Sequence, residues 1–454
     1  MNTYTIQRIA AFLDSWLMFR FNQTTLPGMS VAVLHKQDII FTAQYGLANA
    51  ETATVLDEHS LFSVASQSKM MTAVALLQLY ENGSLDLDAP VCNYVPWLAD
   101  HPQTEAKEVT VRQLLTHGAG FARDLPSADF WMLQKPFPSS SSLRGMLIDT
   151  PILVRPNTQL KYSNAGYTLL GEVIQSVSGQ SYASYITQHI INALNLPQTY
   201  ADHTARIAPH VAVGYGVTYA SRRTPLGPRR ATHAFAPVAG VHSTCADMCR
   251  FAAALCAQND TLLRLTTKKE MLRTQRAQPD GYDAGLEFGL GVEIIPVGER
   301  RVMGHGGHLA GHVTATYFDR DSEISVAVMV NSKDAPTPRI ALGIFGAIDF
   351  FSQHAVRPAP ADVERLSARL LSPIATVEII ATNSQIIAID PDDWEPFAFQ
   401  EELEKIDASA LRIVTPGSVF NQSETVHYLF KDNILVSARY AGGTLWPEHT
   451  FIGQ

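Results

Sequence analysis

The sequence predicts an α/β (α+β) catalytic domain, one antiparallel sheet flanked by helices with an all-helical subdomain, followed by a small all-β, barrel-like domain. Three observations predict it. Strand-like runs stand at both ends of a helical middle: 29–34 (MSVAVL) and 39–43 (IIFTA) before it, and 291–295, 312–317 and 324–330 after it. A long stretch, 61–82 (LFSVASQSKMMTAVALLQLYEN), is apolar on nearly all sides and reads as a helix buried inside a protein. Beyond the Pro-rich 357–361 (RPAPA) the pattern changes to closely spaced short strand candidates with turn signals.

In chain order, residues 1–21 read as an amphipathic helix with Ile9, Phe12, Trp16 and Phe19 on its apolar face. An acidic residue inside its apolar part and the lack of a small-residue cleavage site argue against a signal peptide, so a cytoplasmic location is expected. Pro27-Gly28 opens a strand, and a turn at 35–38 makes a hairpin. The buried helix follows and stops at Asn82-Gly83. Residues 109–117 read as a short helix, 122–142 as a loop with four serines in a row, and 167–177 as a helix. The stretch 199–238 is irregular and rich in Gly, Pro and Arg (Arg222, Arg223, Arg229, Arg230), which suits a solvated loop or a substrate rim. A helix at 337–351 closes the catalytic domain, expected over 1–355. A linker at 356–362 and an accessory domain at 363–454 come next. The latter has a short helix at 362–371 and strands at 376–381, 385–389, 411–415, 426–430 and 434–440.

Composition is that of a soluble globular protein of 454 residues, long enough for one large domain and a smaller one. The net charge of −9 argues against nucleic acid as a partner. No apolar run reaches about 18 residues, so no membrane partner is expected. Cys245, Cys249 and Cys256 recur at helical spacing, which suits buried thiols on one core helix better than a metal site.

The chemistry starts at Ser66-Gln-Ser-Lys69. Three residues apart on a helix, Ser66 and Lys69 share a face. A lysine is costly to bury unless it is paired or used. A serine at a helix N-terminus has free N–H groups and the positive dipole end beside it. Together they describe a nucleophile, an amine for proton transfer and an oxyanion donor. Two later stretches can complete the site. In 161–167 (KYSNAGY), a cationic neighbour can lower the pKa of Tyr162, and Asn164 has both a donor and an acceptor for a substrate amide. In 304–308 (GHGGH), leading into a strand, the glycines let a substrate approach the backbone. A second Tyr-x-Asn, at Tyr80, lies fourteen residues along the helix from Ser66, about 21 Å away. Tyr80 is therefore expected in the core.

The ordered set Ser66-x-x-Lys69, Tyr162-Ser163-Asn164 and His305-Gly306-Gly307 resembles the class C β-lactamase and penicillin-binding-protein-like serine hydrolases. LTHGAG at 115–120 and AGYTLLGEVIQSVSG at 165–179 also match. The resemblance covers roughly residues 15–350. It implies a serine β-lactamase-like domain in which Ser66 is acylated, Lys69 and Tyr162 act as the base, and Asn164 positions the substrate. The N–H groups of Ser66 and His308 would form the oxyanion hole, with Gly307 and His308 lining it. Where enzymes acting on β-lactams usually carry Lys-Thr-Gly, this chain has His305-Gly306-Gly307. A largely neutral histidine pulls a carboxylate weakly. This is similar to D-aminopeptidases and related peptidases, some of which also carry C-terminal β-barrels. The expected function is an acyl-enzyme hydrolase cleaving an amide or peptide bond of a small molecule or short peptide, with a D-residue allowed. A carboxylesterase is the alternative within the class. An acyltransferase or a non-hydrolytic sensor is the alternative outside it. No cofactor is expected. Nor is a metal at His305, His308 and His312, because a Gly-rich strand would not converge them. A homo-oligomer is compatible with the sequence.

Overall fold

A strand covered on both faces reads as an unbroken apolar run rather than an alternating one. That pattern places the middle of the sheet in this protein. The computed structural model describes residues 1–220, 222–227, 230–256, 260–281, 284–416 and 421–451. Its contacts divide the chain into two compact units, Thr25–Ala341, and Met1–Thr24 with Leu342–Gln454.

The larger unit carries strands β1 (Gly28–His35), β2 (Asp38–Asn49), β3 (Thr54–Val55), β4 (Phe62–Ser63), β5 (His242–Ser243), β6 (Arg276–Ala277), β7 (Glu287–Phe288), β8 (Glu293–Val297), β9 (Arg300–Leu309), β10 (His312–Asp319) and β11 (Ile324–Val330). β4 and β5 pair with each other. The other nine form one sheet in the order β3-β2-β1-β11-β10-β9-β8-β7-β6. β1 and β11, from opposite ends of the unit, pair antiparallel at its centre with Val31 opposite Val328, and every residue of β11 is buried. Val328 faces Ala315 of β10, which in turn faces Gly306 of β9.

The apolar helix runs Ser68–Glu81, entered through a short 3-10 turn at Ala65–Gln67, and its residues from Ser68 to Leu77 are buried. Helix Asn164–Ser178 packs against it. The cap there is the Ser163 side chain, which accepts from the Gly166 N–H at 3.0 Å. Helix Cys245–Ala253 packs on β1, β10 and β11. Its Cys245 and Cys249 are buried and donate to the Ser30 and Ala32 carbonyls, whereas Cys256, expected on the same helix, is buried just past its end at Ala253.

Several local expectations are revised. The serine run belongs to helix Ser140–Ile148, because Ser139 stands at its N-cap and the apolar Leu143 and Leu147 bury one face. Residues 304–308 lie within β9 rather than ahead of a strand, since glycine tolerates extended backbone and the ladder to β10 holds it. Tyr80 is 43% exposed, on the open side of the last helical turn, and not core. Arg229 lies outside the described residues.

In the smaller unit, helix Thr3–Asn22 buries Ile9, Phe12, Trp16 and Phe19 as expected. Phe12 meets Phe351 and Phe397, and Trp16 meets Trp394. Eight strands close into a barrel: β12 (Ala368–Leu371), β13 (Thr376–Ala381), β14 (Ile386–Ile389), β15 (Gln400–Lys405), β16 (Ala410–Ile413), β17 (Thr425–Lys431), β18 (Ile434–Tyr440) and β19 (Gly443–Pro447). The expected helix at 362–371 stops at Glu364, and its remainder is β12, pairing with both β13 and β19. β15 and β19 escape sequence reading because one is charged and the other Gly-led. Closure recruits them by supplying partners on both sides.

Candidate active site

Ser66 sits where the 3-10 turn enters the buried helix. Ala65 before it holds φ +52, a left-handed conformation uncommon for a residue with a Cβ. This turn lifts Ser66 to a half-buried position between buried neighbours. The sheet anchors the turn. Gln67 Nε2 donates to Thr314 Oγ1 at 2.8 Å, Thr314 Oγ1 donates to the Val64 carbonyl at 3.1 Å, and the Ser63 N–H donates to His312 Nδ1 at 2.8 Å. A Cβ on Gly307 would come 2.1 Å from the Val64 carbonyl oxygen, so only glycine lets β9 lie against the nucleophile turn. β9 thereby lies against the turn that carries Ser66, and its His308 is exposed.

Lys69, fully buried, donates from Nζ to Ser66 Oγ at 3.0 Å and to the Val238 carbonyl at 3.4 Å. Burial lowers its pKa to about 7. The carboxylates of Asp124 and Glu293 pull the other way, and Arg123 adds to the fall. A substantial fraction is thus a neutral amine near pH 7, with its lone pair within reach of the serine proton.

Tyr162 brings its ring to 5.0 Å from Lys69 Nζ, and the nearby Ser66 hydroxyl favours its ionised form. The expected lowering of its pKa is corrected. The residue keeps part of its surface, yet packing around it pushes the phenol above its ordinary value, and the Ser66 contact offsets this only in part. Tyr162 is a neutral O–H at any working pH.

Asn164 is only 7% exposed. Its Nδ2 donates to Asp124 Oδ1 at 2.7 Å, which fixes the amide's orientation, because a carboxylate only accepts. Trp131 Nε1 donates to the same oxygen at 2.7 Å. One of the two Nδ2 hydrogens of Asn164 is therefore engaged. Its Oδ1 is buried with no hydrogen-bond partner among the described residues.

His305 follows the same logic. Its Nδ1 faces two acceptors, the Gly306 carbonyl and Glu293 Oε1, the latter at 3.5 Å, so Nδ1 carries the proton. Glu293 is held in turn by the Gly306 N–H at 3.2 Å and the Tyr317 hydroxyl at 3.0 Å. Burial lowers the pKa of His305 in spite of Glu293, which leaves a neutral ring with a bare Nε2. That nitrogen is buried and has no partner among the described residues. His312 engages both ring nitrogens in packing, the second facing the Ala212 carbonyl at 2.9 Å. Among the described residues no group of three His, Cys, Asp or Glu side chains is gathered as a metal ion would need.

Sequence reading missed Asp124, Glu293 and His117. His117 lies within LTHGAG, whose role could not be read. Its ring stacks on Tyr162 with centroids 4.2 Å apart, its Nδ1 accepts the Ser163 N–H at 3.2 Å, and its carbonyl accepts from the Lys161 N–H at 2.8 Å. It braces the loop that presents Tyr162.

An antiparallel sheet laid against a helix-start serine, with a buried lysine at hydrogen-bond distance, is the architecture of the serine hydrolases of β-lactamase-like fold. The chain belongs to the Beta-lactamase family, whose profile matches residues 6–347. Protein flp of Staphylococcus aureus strain MW2 is 28% identical over 203 residues, which cover 45% of this chain and 40% of that protein, so the match spans less than half of that relative. The octameric penicillin-binding protein homologue from Pyrococcus abyssi superposes with a TM-score of 0.67 at 20% identity, covering 96% of this chain and 99% of that one. A D-stereospecific amidohydrolase from Streptomyces sp. gives a TM-score of 0.58 at 22% identity, covering 73% of this chain and 95% of that one. Among the described residues no helix is long and apolar enough to cross a membrane.

Proposed function

We propose that this protein is an acyl-enzyme amidase or peptidase acting on a small, peptide-like substrate. The observation that carries the reading is the 3.0 Å contact between Lys69 Nζ, with its pKa near 7, and Ser66 Oγ. Neutral Lys69 takes the hydroxyl proton as Oγ attacks the carbonyl carbon, and the N–H groups of Ser66 and His308 hold the oxyanion. As the carbon–nitrogen bond breaks, Tyr162 gives its proton to the leaving amine and recovers one from Lys69. Water then attacks the ester and passes a proton to Lys69, which returns it to Ser66.

The choice of amide over ester rests on the two buried acceptors, Asn164 Oδ1 and His305 Nε2. Each is costly to leave unpaired, and each is satisfied by an N–H. Asn164 suits an N–H on the acyl side, and His305 suits one on the leaving side. A bare His305 Nε2 repels a carboxylate, which disfavours β-lactams. The D-stereospecific amidohydrolase among the structural neighbours makes D-configured residues the first to try. The octameric neighbour makes self-association part of the same reading, measurable by light scattering. Residues 363–454 are proposed as an accessory domain outside the chemistry.

The test is intact-mass labelling with a fluorophosphonate, then a panel of D- and L-aminoacyl anilides, p-nitrophenyl esters and a chromogenic β-lactam. Wild type should add one label that Ser66→Ala loses, and anilides should be favoured once intrinsic reactivity is divided out. A labelled enzyme that turns over only esters would replace the reading with a carboxylesterase. Product that forms only with an added amine acceptor would replace it with an acyltransferase.

A further inference from the structure

A pocket opens beside the cleft, in the same unit, that the chemistry above does not use. Its cavity volume is about 70 Å³. Ser63 lies in its floor, three residues before the nucleophile. Leu309 and Ala310, directly after His308, form one wall, and Leu133 and Phe137 form another. Arg230 and Lys135 stand at the lip.

Two features bear on what the pocket can hold. The Ser63 hydroxyl is fully buried and has no partner among the described residues, though its own N–H is satisfied by His312. A hydroxyl closed off in this way offers a ligand no contact, so the polar end of an occupant is met at the lip instead. The lip also carries net positive charge. Lys135 is compensated by Asp129 at 2.8 Å, whereas exposed Arg230 has no ion-pair partner among the described residues. The wall is tied to the catalytic groups. Phe137 packs on Trp131, which donates to the Asp124 oxygen that orients Asn164.

The pocket's place on β9 says which half of the substrate it takes. Tyr162 and His305, which serve the leaving group, have ring centroids 6.2 Å apart. Leu309 lies four residues further along the strand, about 13 Å from His305, and Ala310 follows it in the turn to β10. With the carbonyl held at His308, the leaving group points to His305 and the acyl side chain to Leu309.

We infer that this pocket selects substrates whose acyl side chain is an apolar stem ending in an anion. The stem lies between Leu309, Ala310 and Phe137, and the terminal carboxylate reaches Arg230. This rests on the reading of Ser66 as the acylated residue.

The test compares three esters of one leaving group, 4-nitrophenyl acetate, 4-nitrophenyl hexanoate and mono-4-nitrophenyl adipate, each rate divided by its spontaneous hydrolysis. In wild type, hexanoate should exceed acetate by about tenfold in kcat/KM, the scale of a few buried methylenes. Adipate should exceed hexanoate by about fivefold at low salt, the scale of one exposed ion pair. Arg230→Gln should bring the adipate-to-hexanoate ratio to about one, and Ala310→Phe should collapse the hexanoate-to-acetate ratio. Ratios within one protein are insensitive to the fraction folded. An adipate-to-hexanoate ratio near one in wild type, or unmoved by Arg230→Gln, overturns the proposal. Calorimetry of adipic acid monoamide against hexanamide on Ser66→Ala reads the pocket without the chemistry. A retained preference there, with unlabelled wild type, would remove the nucleophile and keep the pocket. Labelled Ser66 with no preference would do the reverse.

Discussion

Two buried cations, one in each unit, have opposite fates. Arg369 on β12 has a side chain only 5% exposed, yet it meets Glu378 at 2.8 Å and Glu448 at 3.2 Å and lies over the Phe19 ring at 4.4 Å. Burial pushes the Glu378 carboxyl up, and Arg369 pulls it back. Lys69 is just as buried, but its Nζ contacts a hydroxyl and a carbonyl, and among the described residues no carboxylate lies within ion-pair distance. A guanidinium stays charged and so needs counter-ions, whereas an amine can give up its proton. Arg369 is paired and holds its strand in place, whereas Lys69 is unpaired beside a hydroxyl, the arrangement the proposed chemistry calls for.

The largest expected break in this comparison comes from replacing each cation with methionine. Lys69→Met should lower turnover of the best anilide at least about a thousandfold, the scale of general-base loss. Between about pH 7 and the ordinary lysine value, the unfolded chain holds a proton that folded Lys69 has given up. Removing the amine removes that cost, so at pH 8 the apparent melting midpoint should rise by about 3 °C. Arg369→Met should do the reverse. It strands two carboxylates at about 3–5 kcal/mol, lowers the midpoint by about 10 °C, and leaves Ser66 labelling of the folded protein intact. Calorimetry and single-turnover assays read both, and a Lys69→Met protein that melts well below wild type would show the lysine to be structural.

A smaller effect sharpens the same contrast through pH. Lys69 must be neutral to take the serine proton, and its pKa lies at about 7. Below that value kcat/KM should fall about tenfold per pH unit, and above it a plateau should follow, since Tyr162 is pushed up and stays protonated. A profile flat from pH 5 to 8 would remove Lys69 as the base.

The smallest expected effect tests the orientation of Asn164. Asp124→Leu frees the amide to turn its donor inward. The anilide-to-ester ratio should drop about tenfold, as one buried N–H partner is lost. An unchanged ratio would mean that Asn164 does not read the acyl N–H.

Much of this was legible in one dimension. The Ser66–Lys69 spacing is a helical property, and an all-round apolar helix announces that its lysine is buried, whatever packs on it. The strand pairs at the two ends of the larger unit and the barrel strands β13 and β18 were read from local pattern alone. Charged β15 was not, because its partners β14 and β16, not its own residues, make it a strand. His117 shows the same limit, since its meaning lies in a contact with Tyr162 across 45 residues of chain.

The sequence by itself placed Ser66 and Lys69 on one helix face and set the order of the motifs, because these follow from helix periodicity and residue chemistry. Only the tertiary structure decided protonation and polarity. How far burial neutralises Lys69 and keeps Tyr162 protonated depends on what packs around them and on Arg123, Asp124 and Glu293, which are distant in sequence from Lys69 and Tyr162. Hydrogen-bond direction is set by partners far away in sequence. Asp124 takes one Nδ2 hydrogen of Asn164, Glu293 and the Gly306 carbonyl take that of His305, and Asn164 Oδ1 and His305 Nε2 are left without a partner among the described residues.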